Sequence, residues 1–161
     1  MLNLKHTLHH LIEKLCTKNR GNLMLFLILA AFFSCKKESI STTPSIEFVS
    51  ITPSTVEVGK NNITITISYK DEDGDLGENN ADVKNLFVTD NRNGVIYEFR
   101  IQQLSPSGSA ISIQGNLSIA MPNTGITDGV NSESATFSVY LKDRAGNQSN
   151  TITTSSVTVT K

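Results

Sequence analysis

From Ile46 to the C-terminus the chain repeats with a period of two, a pattern that suits strands and not helices. Ile63, Ile65, Ile67 and Tyr69 alternate with Asn62, Thr64, Thr66 and Ser68, so one face is apolar and the other meets water. Tyr97, Phe99 and Ile101 alternate with Glu98 and Arg100, and Phe137, Val139 and Leu141 with Thr136, Ser138 and Tyr140. A further run, Ile111, Ile113, Leu117, Ile119 and Met121, is broken on its apolar face by Gly115. β-Branched residues dominate, as a pleated surface favours. Turn chemistry separates the runs at Pro53-Ser54, Gly59-Lys60-Asn61, Asp73-Gly74-Asp75, Asn93-Gly94, Pro106-Ser107-Gly108, Asp128-Gly129 and Gly146-Asn147.

The pattern predicts seven strands, at 46–52, 62–70, 84–89, 95–102, 110–121, 134–142 and 149–160. Ile152, Val157 and Val159 keep no single alternation, which predicts a bulge across 154–156. Seven short antiparallel strands make an all-β, immunoglobulin-like Greek-key sandwich over 46–161. A domain of that size buries a sufficient core without disulfides.

The rare residues narrow the chemistry. His6, His9, His10 and Cys16 precede residue 20, the other cysteine is Cys35, and no His, Cys or Trp follows it. The sandwich therefore has no Ser/His/Asp or Cys/His nucleophile pair, no Cys/His zinc cage and no thiol redox motif. Residues 1–34 carry four bases and one acid, whereas 35–161 carry 10 bases and 14 acids, a net of −4. That acidic balance argues against a nucleic-acid partner.

Residues 23–33 are an uncharged apolar run of 11, too short for a bilayer helix of ~20 residues and matched to the apolar region of a secretory signal. Met1 is taken as the start, because Met24 leaves no basic region before the run. The run ends Phe32-Phe33-Ser34-Cys35, followed by Lys36-Lys37-Glu38. This resembles a loose bacterial lipobox, with small Ser34 before a cysteine that receives diacylglycerol, and is similar to lipoproteins of the Bacteroidetes group. The resemblance implies a signal peptide over 1–34, lipidation at Cys35, a tether over 35–45, and outer-membrane attachment on the periplasmic or cell-surface face. A plain secretory signal with a chance cysteine is the alternative.

Within the sandwich, Ser68-Tyr69-Lys70-Asp71-Glu72-Asp73-Gly74-Asp75-Leu76-Gly77 resembles a stretch of small Bacteroidetes lipoproteins with one Ig-like domain. Thr89-Asp90-Asn91-Arg92-Asn93-Gly94 and the segment from Tyr140 through Asp143 to Asn150 resemble the same largely uncharacterised group, and the latter also resembles the last hairpin of fibronectin-III-like domains. The resemblance sharpens fold and location more than function.

Residues 71–82 hold six acids (Asp71, Glu72, Asp73, Asp75, Glu78 and Asp82) and no base. Such crowding is unfavourable unless compensated, and Ca2+ takes 6–8 oxygens of this kind. An EF-hand is excluded, because Leu76 stands where the loop needs glycine and the flanks are strands. In the expected sandwich this loop shares an end with the last hairpin turn, which makes Asp71, Asp73, Asp75 and Asp143 the candidate calcium ligands, with the Asn147 side chain nearby. Asp90 falls at the opposite end. Cadherin-like domains place calcium at comparable junctions, where it stiffens a linker. The competing reading is a solvated turn offset by Lys70, Lys84 and Arg144, with Asp143 capping its own turn. Arg92 and Arg100 read as surface or cross-strand partners. Tyr69, Tyr97 and Tyr140 read as core packing ahead of a sugar-stacking patch.

The functional expectation is a non-catalytic, lipid-anchored envelope module that binds or spaces an envelope protein or glycan, with calcium as the one candidate cofactor. The alternatives are an accessory subunit of an outer-membrane complex docking through a sheet edge, for which the final strand is the candidate, and a carboxylate-only glycan-acting enzyme. The enzyme is disfavoured by seven Phe and Tyr residues, no Trp and no cleft-forming insertion.

Overall fold

Ile63, Ile65 and Ile67 are fully buried along one face of a strand, with the intervening threonines half-exposed. The computed structural model describes residues 39–122 and 124–161. The signal peptide and Cys35 lie outside them. The elements are β1 (Ser45–Thr52), β2 (Thr55–Glu57), β3 (Ile63–Asp71), β4 (Leu86–Asp90), β5 (Ile96–Phe99), β6 (Ile113–Met121), β7 (Ser132–Ala135), β8 (Phe137–Leu141), β9 (Ile152–Thr153) and β10 (Val157–Thr160). No helix occurs among the described residues.

The sheet orders are β1-β3-β6, β5-β4-β8-β9 and β2-β10-β7. One apolar cluster joins Ile46, Ile63, Ile65, Ile67, Ile119 and Met121 of the first sheet to Leu86, Val88, Phe137, Val139, Leu141, Val157 and Val159 of the other two. This is the all-β Greek-key sandwich that the alternation predicts. Ten elements replace the seven expected because two long runs are interrupted and one short strand is added.

The predicted bulge accounts for one interruption. Ser138 pairs with Thr153 and Val139 with Ile152, but Ala135 pairs with Val157, one residue further than an unbroken ladder would give. The extra residue lets Ile152 and buried Thr154 face inward before the break and Val157 and Val159 after it. Within it, Thr154 Oγ1 accepts the Phe137 amide at 3.1 Å, and the Thr154 amide donates to the Phe137 carbonyl at 2.9 Å.

The added strand is β2, whose three residues pair parallel with β10 and bury Val56. Following directly on Pro53-Ser54, it is too short to show alternation. It corrects one expectation: the C-terminal half of the final strand lies between β2 and β7 and is not a free sheet edge.

Two strands are also shorter than expected. The 95–102 run leaves the ladder after Phe99, because the Asn85 side chain serves both backbone groups of Ile101, accepting its amide at 2.6 Å and donating to its carbonyl at 3.3 Å. The 110–121 run begins at Ile113, and Ile111 is exposed, not on the apolar face. Its backbone passes against Gly74 instead of pairing. At Gly115, the cross-strand Tyr69 ring fills the place of the missing side chain, which explains the broken alternation.

Ile40–Lys161 form one compact unit. Residues 40–45, read as tether from composition, therefore belong to it.

Candidate metal centre

The loop after β3 is a packed structure and not a solvated turn. Leu76 is fully buried in the core and anchors it. Gly74 and Gly77 both have positive φ, +73° and +88°, a conformation that glycine adopts without a Cβ penalty. Both also sit where a Cβ would strike backbone, Gly74 against Ile111 and Gly77 against Gln102 and Gln103. The Leu104 amide donates to the Leu76 carbonyl at 3.3 Å and the Glu78 amide to the Ile101 carbonyl at 2.9 Å. The Ser105 hydroxyl donates to the Gly74 carbonyl.

The turn between β8 and β9 closes on this loop, as the shared-end argument requires. The Arg144 amide donates to the Asp75 carbonyl at 3.3 Å. The Arg144 guanidinium donates to the Gly77 carbonyl at 3.0 Å and the Gly74 carbonyl at 3.5 Å. The Ala145 amide donates to Asp75 Oδ2 at 3.1 Å.

This scaffold gathers three carboxylates. Asp71, Asp73 and Asp75 each offer an oxygen, and these oxygens lie within 4.8 Å of one another. Calcium–oxygen distances of about 2.3–2.6 Å let one ion touch three oxygens so spaced. Asp71 is fully buried, and its Oδ2 accepts the Leu76 amide at 2.8 Å. The Oδ1 atoms of Asp71, Asp73 and Asp75 are buried without any hydrogen-bond donor. In Asp71 and Asp75, therefore, a backbone amide holds one oxygen and leaves the other bare.

Burial pushes the Asp71 carboxyl up to about 6, helped by the close approach of the Asp73 carboxylate and by the charges of Asp73 and Asp75, against the opposing Leu76 amide. Burial also raises Asp75, followed by the charges of Asp143 and Asp73, with the Ala145 amide and Arg144 opposing. Three anionic groups in a partly dry site are relieved by a proton or by a cation.

Of the four candidate ligands, the structure brings together Asp71, Asp73 and Asp75. Asp143 is not in the cluster: its Oδ1 accepts the Asn147 amide at 2.8 Å and its Oδ2 the Asn147 side-chain amide at 2.9 Å. It caps its own turn, as the competing reading has it, and reaches the site only through its charge on Asp75. Glu72 faces away to Lys70, 2.6 Å distant, while Glu78 accepts the Asn79 and Asn80 amides. Charge counting missed the role of Arg144, and Ser105 gives no sequence signal. That Arg144 sits in the turn sharing the loop's end is the clue that was available.

Two other groupings lie elsewhere. At the far end of β4, buried Asp90 is bound by Arg92 at 2.6 and 2.9 Å, and Arg92 also pairs with Glu133 and reaches the Gly125 carbonyl at 3.1 Å. Arg92 is thus a largely buried ion-pair partner, its side chain only 9% exposed, so of the surface and cross-strand-partner readings the structure favours the partner. Tyr69 and Tyr97 pack against the core, while Tyr140 stacks on Phe87 with centroids 4.8 Å apart. Compared with protein families, curated proteins and solved structures, the chain matches none.

Proposed function

We propose that the chain is a non-catalytic, lipid-anchored module of the cell envelope. It spaces or binds a partner close to the outer membrane, and calcium held by Asp71, Asp73 and Asp75 stiffens the end at which the anchor joins. The observation that carries this reading is the set of three buried, donorless carboxylate oxygens at the end of the sandwich that the lead-in segment touches. The leader ending in Ser34-Cys35 supports the anchor. Hard oxygen donors with no nitrogen or sulfur among them favour Ca2+ over the transition metals. The three carboxylate oxygens lie within 4.8 Å of one another, a spacing that one shared cation fits.

Calorimetry of the full chain in detergent tests the proposal. One calcium per chain is expected, with a thermal shift that a chelator reverses. Absence of both heat and shift at millimolar calcium overturns the calcium part.

A second reading, an accessory subunit docking by strand addition, is favoured by β6. Among the described residues that strand pairs only with β3 along its nine residues and presents its other side as an edge.

A further inference from the structure

We propose that β6 pairs antiparallel with β6 of a second copy of this chain, joining two three-stranded β1-β3-β6 sheets into one continuous sheet. The inference rests on the strand-addition reading above and names the occupant of that edge. Among the described residues β6 pairs on one side only, with β3, from Asp71 opposite Ile113 to Ile63 opposite Met121 without a register shift. Alternate residues of such a strand turn amide and carbonyl outward, toward a further strand.

The other edge strands carry the devices that keep sheets from associating. β1 has Glu47 and a register shift between Phe48 and Ser50. β2, β5 and β7 are three or four residues long and contain Glu57, Glu98 and Glu133 in turn, and β9 is two residues long. β6 has nine residues with no charge, no proline and no bulge. It lies inside the longest uncharged stretch of the sandwich, residues 101–127, between Arg100 and Asp128.

Charge selects the occupant. Residues 35–161 carry a net of −4, so two copies repel over much of their surface and meet most readily where neither presents a charge. A partner recruited by its own basic groups would be drawn to the acids elsewhere on the domain, not to this neutral strand. The sequence of β6 is also complementary to itself. A two-fold axis through Leu117 pairs all nine residues, placing Ile113 opposite Met121, Gly115 opposite Ile119 and Asn116 opposite Ser118. Core-side residues then meet core-side residues, and exposed polar ones meet exposed polar ones. Such a contact uses the same patch on both copies and closes at two.

Light scattering of the full chain in detergent at about 50 μM is expected to give the mass of two chains. Asn116→Lys and Ser118→Asp, both at exposed positions, each bring like charges together beside the axis. Each is expected to weaken dimerisation by about fivefold or more while the far-UV circular dichroism stays that of the parent. An equimolar mixture of the two variants is expected to recover the dimer, because the introduced lysine of one chain faces the introduced aspartate of the other. A parent chain that remains monomeric at about 1 mM overturns the pairing, as does a dimer that neither variant weakens. In that event, hydrogen exchange over residues 113–121, in detergent and in envelope membranes, shows whether strand addition falls as well. Protection gained only in the membranes leaves docking to another protein standing, and protection in neither removes both.

Discussion

Replacing Asp71 by Asn removes a charge from the driest position of the cluster while keeping the shape and an acceptor for the Leu76 amide. Folding raises the Asp71 carboxyl from its ordinary 3.8 to about 6. The folded state therefore holds the proton more tightly than the unfolded state. Stability from this group is present below about pH 4 and is lost as pH rises through about 6. A shift of that size corresponds to roughly 3 kcal/mol at pH 7.5 and to only a small fraction of that at pH 4. Asp71→Asn is accordingly expected to stabilise the calcium-free protein by about 2–3 kcal/mol at pH 7.5, with little gain at pH 4. For a unit of this size that is a rise in Tm of roughly 10 °C. In saturating calcium the order reverses, because the variant has lost a ligand. Denaturant unfolding at both pH values, with chelator and with calcium, reads all four quantities. A variant that is less stable than the parent at pH 7.5 in chelator would refute the reasoning, because the carboxylate would then be held favourably by the protein alone.

Gly74→Ala is expected to destabilise the fold by about 2 kcal/mol or more, since it combines a positive φ with a Cβ placed against the Ile111 backbone, and chemical denaturation checks it. Arg92→Met leaves Asp90 buried and unpaired, at a cost of about 3–5 kcal/mol. Burial alone pushes Asp90 up, and the Arg92 hydrogen bonds and charge overcome it to hold the carboxyl below its ordinary value. The variant's deficit is therefore greatest near neutral pH and shrinks in acid, as a thermal melt series across pH shows. Cys35→Ser is expected to abolish incorporation of a labelled fatty acid and to release the protein from the membrane fraction; retained label places the modification elsewhere.

The sandwich was legible because alternation is a local property. A pleated strand puts successive side chains on opposite faces, so Ile63, Ile65 and Ile67 declare a buried face without reference to any partner. The mismatch of Ile152 with Val157 and Val159 announced the bulge for the same reason. Three-residue β2 carries too few side chains to show a period, and only its pairing with β10 defines it.

The acidic loop marks the limit of what sequence supplies. Its composition and its place between two strands identified the candidates, and the Greek-key order put the 143–147 turn beside it. Sequence alone could not say which oxygens would be left bare, because that depends on where backbone amides arrive, two of them from the same turn as the carboxylate they meet and one from 70 residues away. Leu76 and Ala145 each take one oxygen of an aspartate, Asn147 takes both oxygens of Asp143, and Arg144 binds loop carbonyls in place of carboxylates. Side-chain chemistry was fixed residue by residue along the chain. Asp143 is spent within its own turn by Asn147, whereas the site of Asp71, Asp73 and Asp75 is closed by a contact from Ala145, 70 residues beyond Asp75, which only the tertiary structure supplies.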